Sequence, residues 1–240
     1  MQTSDELRAE VCGQTQRHLT EISGFSGWFH RAMVDDLLRL AAAARAAGFE
    51  LAVASSFRNF ERQQLIWSDK VAGRRPVLDS HGCPLCVAQL SAEELLWAIL
   101  RWSALPGASR HHWGTDLDVY DSAAVDKDYR VQLVPEEYSG NGPFAPFTAW
   151  LDQRIATGES FGFGKPYAVD CGGVAPEPWH ISYLPQAALY EACCSADVLL
   201  DLWRATELPL LAEVEANLPT IMQRYVAVAT ASHARDSYNV

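Results

Sequence analysis

The tightest constraint on the fold is that the strand-like runs of this sequence are short and scattered among stretches of helical period. Residues 51–54 (LAVA) form an apolar run that stops at Ser55-Ser56, and residues 60 to about 71 return to helical spacing through Leu65, Ile66 and Trp67. Upstream, Trp28, Phe29, Met33, Leu37, Leu38 and Ala41 to Ala43 line one face of a helix that closes at Gly48, a residue suited to the left-handed position past a helix end. Ser91-Ala-Glu-Glu94 has the form of a capping box and predicts a helix to about Trp102, ahead of Pro106-Gly107. Partial alternation over residues 115–120 predicts a strand, as do short runs near 161–167 and 179–184. Residues 147–155 predict a short helix, and about 186–229 a helical region with a break near Pro209 or Pro219. This order predicts an α+β fold with a small sheet at its centre and helices at both ends of the chain.

The 240 residues predict one domain, and a hydrophobic content of 49% with 20% charged residues is ample for a packed core. Residues 74–89, with Pro76, Gly82 and Pro84, have no period and read as an inserted loop; residues 121–142 read as a polar loop region. A net charge of −11 argues against a partner held through phosphate contacts, so no nucleic acid is expected. An apolar run of about 18 residues is absent, which predicts no transmembrane segment. The opening MQTSDELRAE lacks the basic start and apolar stretch of a secretory signal, so the sequence as it stands predicts a cytoplasmic chain, or one of the cell envelope where a leader has been removed. Six cysteines are too sparse for a disulfide scaffold and are expected as thiols.

Three polar clusters fall where strands begin or end. They are Ser55-Ser-Phe-Arg58 with Gln63 a helical turn on, Ser109-Arg-His-His-Trp-Gly-Thr-Asp-Leu-Asp118, and Glu177-Pro-Trp-His-Ile-Ser-Tyr183. Two imidazoles and a carboxylate from separate segments can close three corners of a tetrahedral zinc site and leave the fourth open, as in a catalytic metal centre. A neighbouring Glu outside the ligand set can then serve as the base. His111, Asp118 and His180 with Glu177 supply such a set.

The order Ser-x-x-Arg-x-x-x-x-Gln, then Ser-x-His-x-x-Gly-x-x-x-Asp, then Glu-x-Trp-His closely resembles the VanY-like D-alanyl-D-alanine carboxypeptidases, zinc peptidases of the lysostaphin, D-Ala-D-Ala peptidase and hedgehog fold group. Phe161-Gly-Phe-Gly-Lys-Pro-Tyr167 is similar to the family's segment between the two halves of its metal site, and the likeness covers roughly residues 50–185. The resemblance implies a small central antiparallel sheet carrying the site. It also implies a peptidase core over 50–185; the inserted loop at about 74–90 and the C-terminal helical extension over 186–240 are read from the sequence pattern and match nothing in that family. It implies one Zn²⁺ per chain on His111, Asp118 and His180, Glu177 as the base, and Arg58 facing the oxyanion. Ser55, Gln63 and Ser109 fall on positions that line the substrate pocket or brace the site. The implied substrate is a peptidoglycan stem peptide or muropeptide, and the implied reaction is release of a C-terminal D-alanine, of D-Ala-D-Ala or L,D type. Ser55, Ser109 and Arg110 would be available to bind the terminal carboxylate. The alternatives are an endopeptidase cutting within the stem peptide and a non-catalytic zinc domain that binds peptide.

One position departs from the family pattern: Asp116 stands where Ala is usual. On a strand it faces the same way as Asp118, so it reads as a further ligand, as a partner orienting a histidine from behind, or as a solvated strand-end residue. His112 points away from His111 on the same alternation. Trp113 and Trp179 read as wall and core. Cys83-Pro-Leu-Cys86 with His81 reads as ordinary loop cysteines, or as half of a structural metal site completed by Cys171 or a histidine.

Overall fold

The structure is a computed structural model that describes residues 4–227. Helix α1 (Ser4–Val11) precedes a two-stranded ribbon, β1 (Leu19–Thr20) with β2 (Phe29–His30). The order continues α2 (Val34–Ala46), β3 (Leu51–Ser55), α3 (Phe60–Val71), α4 (Ala92–Trp102), β4 (Asp116–Asp121), α5 (Pro135–Tyr138), α6 (Ala145–Ala156), β5 (Phe163–Gly164) and β6 (His180–Tyr183). Four helices follow: α7 (Leu184–Glu191), α8 (Ala196–Ala205), α9 (Leu211–Ala216) and α10 (Leu218–Ile221). The central sheet is antiparallel throughout, in the order β3-β4-β6-β5. Among the described residues no helix is long and apolar enough to cross a membrane.

Alternation along β4 and β6 divides the sheet into two faces. Leu117, Val119, Ile181 and Tyr183 point to one side and pack with Leu37, Leu40, Ala41 and Ala44 of α2 and with Phe147 and Leu151 of α6. Asp116, Asp118, His180 and Ser182 point to the other, and the register sets Asp116 opposite Ser182 and Asp118 opposite His180. A one-residue slip would send both acids and the histidine into the apolar face, so the core itself holds the polar set in register. Between Val53 and Ser55 the pairing with β4 shifts by a residue, a bulge that lies where β3 reaches the polar cluster.

A second apolar cluster lies beside the sheet and contains Trp67 of α3, Leu95, Leu96, Ile99 and Leu100 of α4, and Leu199 and Trp203 of α8. The capping box on α4 forms, with Ser91 and Glu94 bonding each other's backbone N–H, and each of its four buried side chains contributes about 1.5–3 kcal/mol of burial. Trp67 Nε1 donates to the carbonyl of Pro209 and Trp203 Nε1 to that of Pro106, so the C-terminal helices are tied to α3 and to the loop that leads into the site. At the end of that loop Gly114 has φ +68°, and a Cβ there would stand 2.4 Å from Leu19 Cδ2; glycine is what lets the chain turn into β4.

The helix expected around residues 28–47 begins later, because Phe29 and His30 pair with β1 and Trp28 stays exposed. The strand expected near 161–167 is only Phe163–Gly164. The C-terminal region breaks at Pro209 and next to Pro219, and once more at residues 192–195; residues 228 and 229 of that expected region lie outside the described residues. Helices α1 and α5 fall where no helix was expected.

Candidate active site

His111 sits in a 3₁₀ turn (Arg110–Trp113) just before β4, Asp118 on β4 and His180 at the start of β6. One ligand atom from each lies within 4.8 Å of the other two, and all three residues are buried. Asp118 stands between the rings, Oδ2 3.3 Å from His111 Nε2 and Oδ1 3.1 Å from His180 Nδ1. Donor atoms about 2.0–2.1 Å from a tetrahedral ion are about 3.3 Å apart, so the set fits zinc.

Each histidine is fixed by its other nitrogen. His111 Nδ1 lies 2.9 Å from the Ser56 carbonyl oxygen, which accepts its proton and leaves Nε2 free to bind. His180 Nε2 lies 3.0 Å from Asp116 Oδ1, which leaves Nδ1 facing Asp118. Burial disfavours the His180 imidazolium, but hydrogen bonds to Asp116 and Asp118 outweigh it and raise the group to about 10. A metal ion and a proton therefore compete for Nδ1. Asp116 and Asp118 are held far below the usual carboxylate range despite burial, Asp116 chiefly by Arg110 and Asp118 chiefly by His111.

Glu177 Oε2 lies 3.5 Å from His180 Nδ1 on the open side of the cluster. Burial pushes its carboxyl up to about 7; Asp118 adds to the rise, while His180 and Arg58 oppose it. A carboxylate at that value can both take and return a proton near neutrality. Arg58 faces the same cavity, its Nη1 donating to Gln63 Oε1 at 2.8 Å and its Nη2 to Ser55 Oγ at 3.4 Å. Gln63 is wholly buried and anchored by its amide on the Ala104 carbonyl. Ser55 and Gln63 thus brace Arg58, whereas Ser109 lines the cavity itself. The cavity holds about 280 Å³, and a larger apolar one of about 550 Å³ adjoins it across Leu78, Trp102, Leu133 and Val134.

Arg110 spends Nε on Asp116 and Nη2 on Ser182, behind the cluster, and its Nη1 lies 3.8 Å from Glu191 Oε2. Ser55 Oγ accepts from Arg58, and Ser55 is not among the residues that line the cavity. His112 is wholly buried, donating from Nδ1 to the Arg58 carbonyl and accepting at Nε2 from the Gly107 N–H at 2.9 Å, so both nitrogens are spent on backbone. That ties Arg58 to the turn carrying His111, a role with no local signal because Arg58 is remote in sequence. Tyr167, at the end of the Phe161–Tyr167 segment, packs its ring 4.9 Å from that of His180. Trp113 and Trp179 are buried. Cys83, Cys86 and Cys171 are exposed thiols, and among the described residues His111, Asp118 and His180 are the one group gathered to hold a metal.

The model of the VanY family, D-alanyl-D-alanine carboxypeptidase, matches residues 27–186. The chain belongs to this family. An uncharacterized protein of Haemophilus influenzae is 32% identical over 124 residues, 51% of this chain and 92% of that one. A D-alanyl-D-alanine carboxypeptidase of Enterococcus faecalis is 31% identical over 145 residues, 59% of this chain and 43% of the relative. Among solved structures, VanYB in complex with D-alanine-D-alanine is similar with 25% identity and a TM-score of 0.49, covering 78% of this chain and 90% of that one. A vancomycin-resistance D,D-pentapeptidase VanY in complex with Zn(II) has 27% identity and a TM-score of 0.47, covering 75% and 88%. Membership of the VanY family puts the chain among peptidases of peptidoglycan peptides.

Proposed function

We propose that this chain is a zinc-dependent carboxypeptidase that releases a C-terminal D-alanine from peptidoglycan-type peptides. The observation that carries the reading is the convergence of His111, Asp118 and His180 with Glu177 and Arg58 on one cavity in a chain of the VanY family. Zinc held by the three residues would supply Lewis acidity, polarising the scissile carbonyl and acidifying a water. Glu177 takes the proton of the attacking water on its carboxylate. Arg58, aimed by Gln63 and Ser55, donates to the oxygen of the tetrahedral adduct as charge builds there. Glu177 then gives its proton to the departing amine as the C–N bond breaks, and the products are a shortened peptide and free D-alanine. The adjoining apolar cavity is suited to the part of the peptide that precedes the scissile bond.

The test is mass spectrometry of products from stem peptides ending in D-Ala-D-Ala or in a single D-Ala after an L-residue, each as the free acid and as the amide. The reading expects loss of one D-alanine from a free acid and a sharp loss of rate on the amide, since a donor such as the Ser109 hydroxyl, which lines the cavity, binds an ionised acceptor more strongly than a neutral one. Equal cleavage of acid and amide, or a cut after the first L-alanine, would replace it with the endopeptidase reading.

A further inference from the structure

Asp116 is the residue the family pattern does not require, and the structure surrounds it with donors. Oδ1 accepts from His180 Nε2 at 3.0 Å and from Arg110 Nε at 2.7 Å; Oδ2 accepts from Thr115 Oγ1 at 2.7 Å and from Ser182 Oγ at 3.1 Å. Arg110 is fixed in turn, with Nη2 2.8 Å from Ser182 Oγ and its guanidinium 4.6 Å from the centre of the Trp113 ring. Asp116 is wholly buried and Arg110 only 4% exposed, so a carboxylate swung towards the cavity would give up the short contact to Nε and leave the buried guanidinium only Ser182 and the more distant Glu191, 3.8 Å from Nη1.

An imidazole that binds a metal through Nδ1 must carry its proton on Nε2, and in a buried site that N–H needs an acceptor. For His111 the corresponding acceptor is the Ser56 backbone carbonyl, which no side-chain change removes. For His180 it is the Asp116 carboxylate. A charged acceptor makes the stronger hydrogen bond and returns electron density to the ring. We infer that Asp116, anchored by Arg110, is a positioning residue that holds His180 with Nδ1 aimed at the metal and thereby sets the affinity of the site. The inference rests on the proposed zinc site and adds to it a residue outside the ligand set.

The test is zinc affinity, measured by competition with a chromophoric chelator on the full chain, with the visible spectrum of the cobalt(II)-substituted protein as a second readout. Asp116→Asn keeps the shape and an acceptor oxygen but not the charge, and should weaken zinc binding about 10- to 100-fold and shift the cobalt bands. Arg110→Met/Asp116→Ala/Glu191→Gln removes Arg110 with both of its acidic neighbours and should weaken zinc equally; it decides the matter if Asp116→Asn does not fold, because replacing a whole buried ion-pair group by neutral ones is often tolerated. Both variants should still fill with zinc in large excess. If the folded variants bind zinc within about threefold of wild type and keep its cobalt spectrum, Asp116 is only a strut between the 3₁₀ turn and the sheet, and the inference is wrong. If wild type itself binds no zinc, the reading of the cluster fails first and takes this inference with it.

Discussion

Acid should destabilise this protein in part through His30, a histidine outside the metal cluster. His30 is 8% exposed; its Nδ1 accepts from the Ala32 N–H at 3.1 Å, and its Nε2 lies 3.1 Å from the Tyr190 hydroxyl, which in turn donates to Glu10 Oε2 at 2.7 Å. The neutral ring uses both nitrogens, and a second proton would break the bond from Ala32. Burial, followed by the neighbouring His18, lowers the group from 6.5 to about 4. The folded value lies below the unfolded one, so the unfolded chain takes up the proton first as the pH falls. The stability is therefore complete above about 6.5 and drains away towards 4. Between pH 7 and pH 5 the unfolded chain gains about 2 kcal/mol from this proton and the folded chain almost nothing. Other groups titrate in the same window, and Glu177, raised to about 7, acts in the opposite sense, so a variant must isolate the effect of His30. In His30→Asn the side-chain oxygen can still cap Ala32, while the titrating ring is gone. Urea unfolding of both proteins at pH 7, 6 and 5 is the assay: wild type should lose about 2 kcal/mol more than His30→Asn over that range. Parallel losses in the two proteins would refute the reasoning.

Two predictions concern the cluster and its neighbour. His111→Ala, Asp118→Ala and His180→Ala should each fall well below one zinc per chain by elemental analysis at stoichiometric metal, because two protein ligands chelate weakly; full occupancy in all three would reject the ligand set. Arg58→Ala should keep its zinc yet lose roughly 10²–10³ in kcat, the scale of one oxyanion donor, with steady-state kinetics on a stem peptide as the check.

Much of the fold was legible because local rules and tertiary packing agree. Phe60–Val71 is helical where its period says, and Asn59, by accepting from the Arg62 N–H, starts it. The alternation of Asp116, Leu117, Asp118 and Val119 is at once a strand signal and the division between site and core. Other elements exist only through distant partners. The strands Leu19–Thr20 and Phe29–His30 have two residues each and no period of their own, and they form because the ribbon packs against the Gly114 turn. The same distance hid the details of the site. The motif spacing could nominate His111, Asp118, His180, Glu177 and Arg58 for one cavity, where they do converge. It could not decide among three roles for Asp116, since the deciding contacts come from Arg110 on the preceding turn and from His180 and Ser182 on another strand. Nor could it assign His112, whose bond across the site goes to the backbone carbonyl of Arg58 on a distant segment.

The most direct test of the account is a side-by-side turnover and zinc measurement on wild type and Glu177→Gln with a free-acid stem peptide ending in D-alanine. Wild type should release one D-alanine per peptide and stop on addition of a chelator. Glu177→Gln should fold and carry the same zinc, yet lose on the order of 10²–10⁴ in kcat, the usual contribution of a positioned acid and base. Near-normal turnover by the zinc-loaded Gln variant, or D-alanine release by wild type that a chelator leaves untouched, would contradict it.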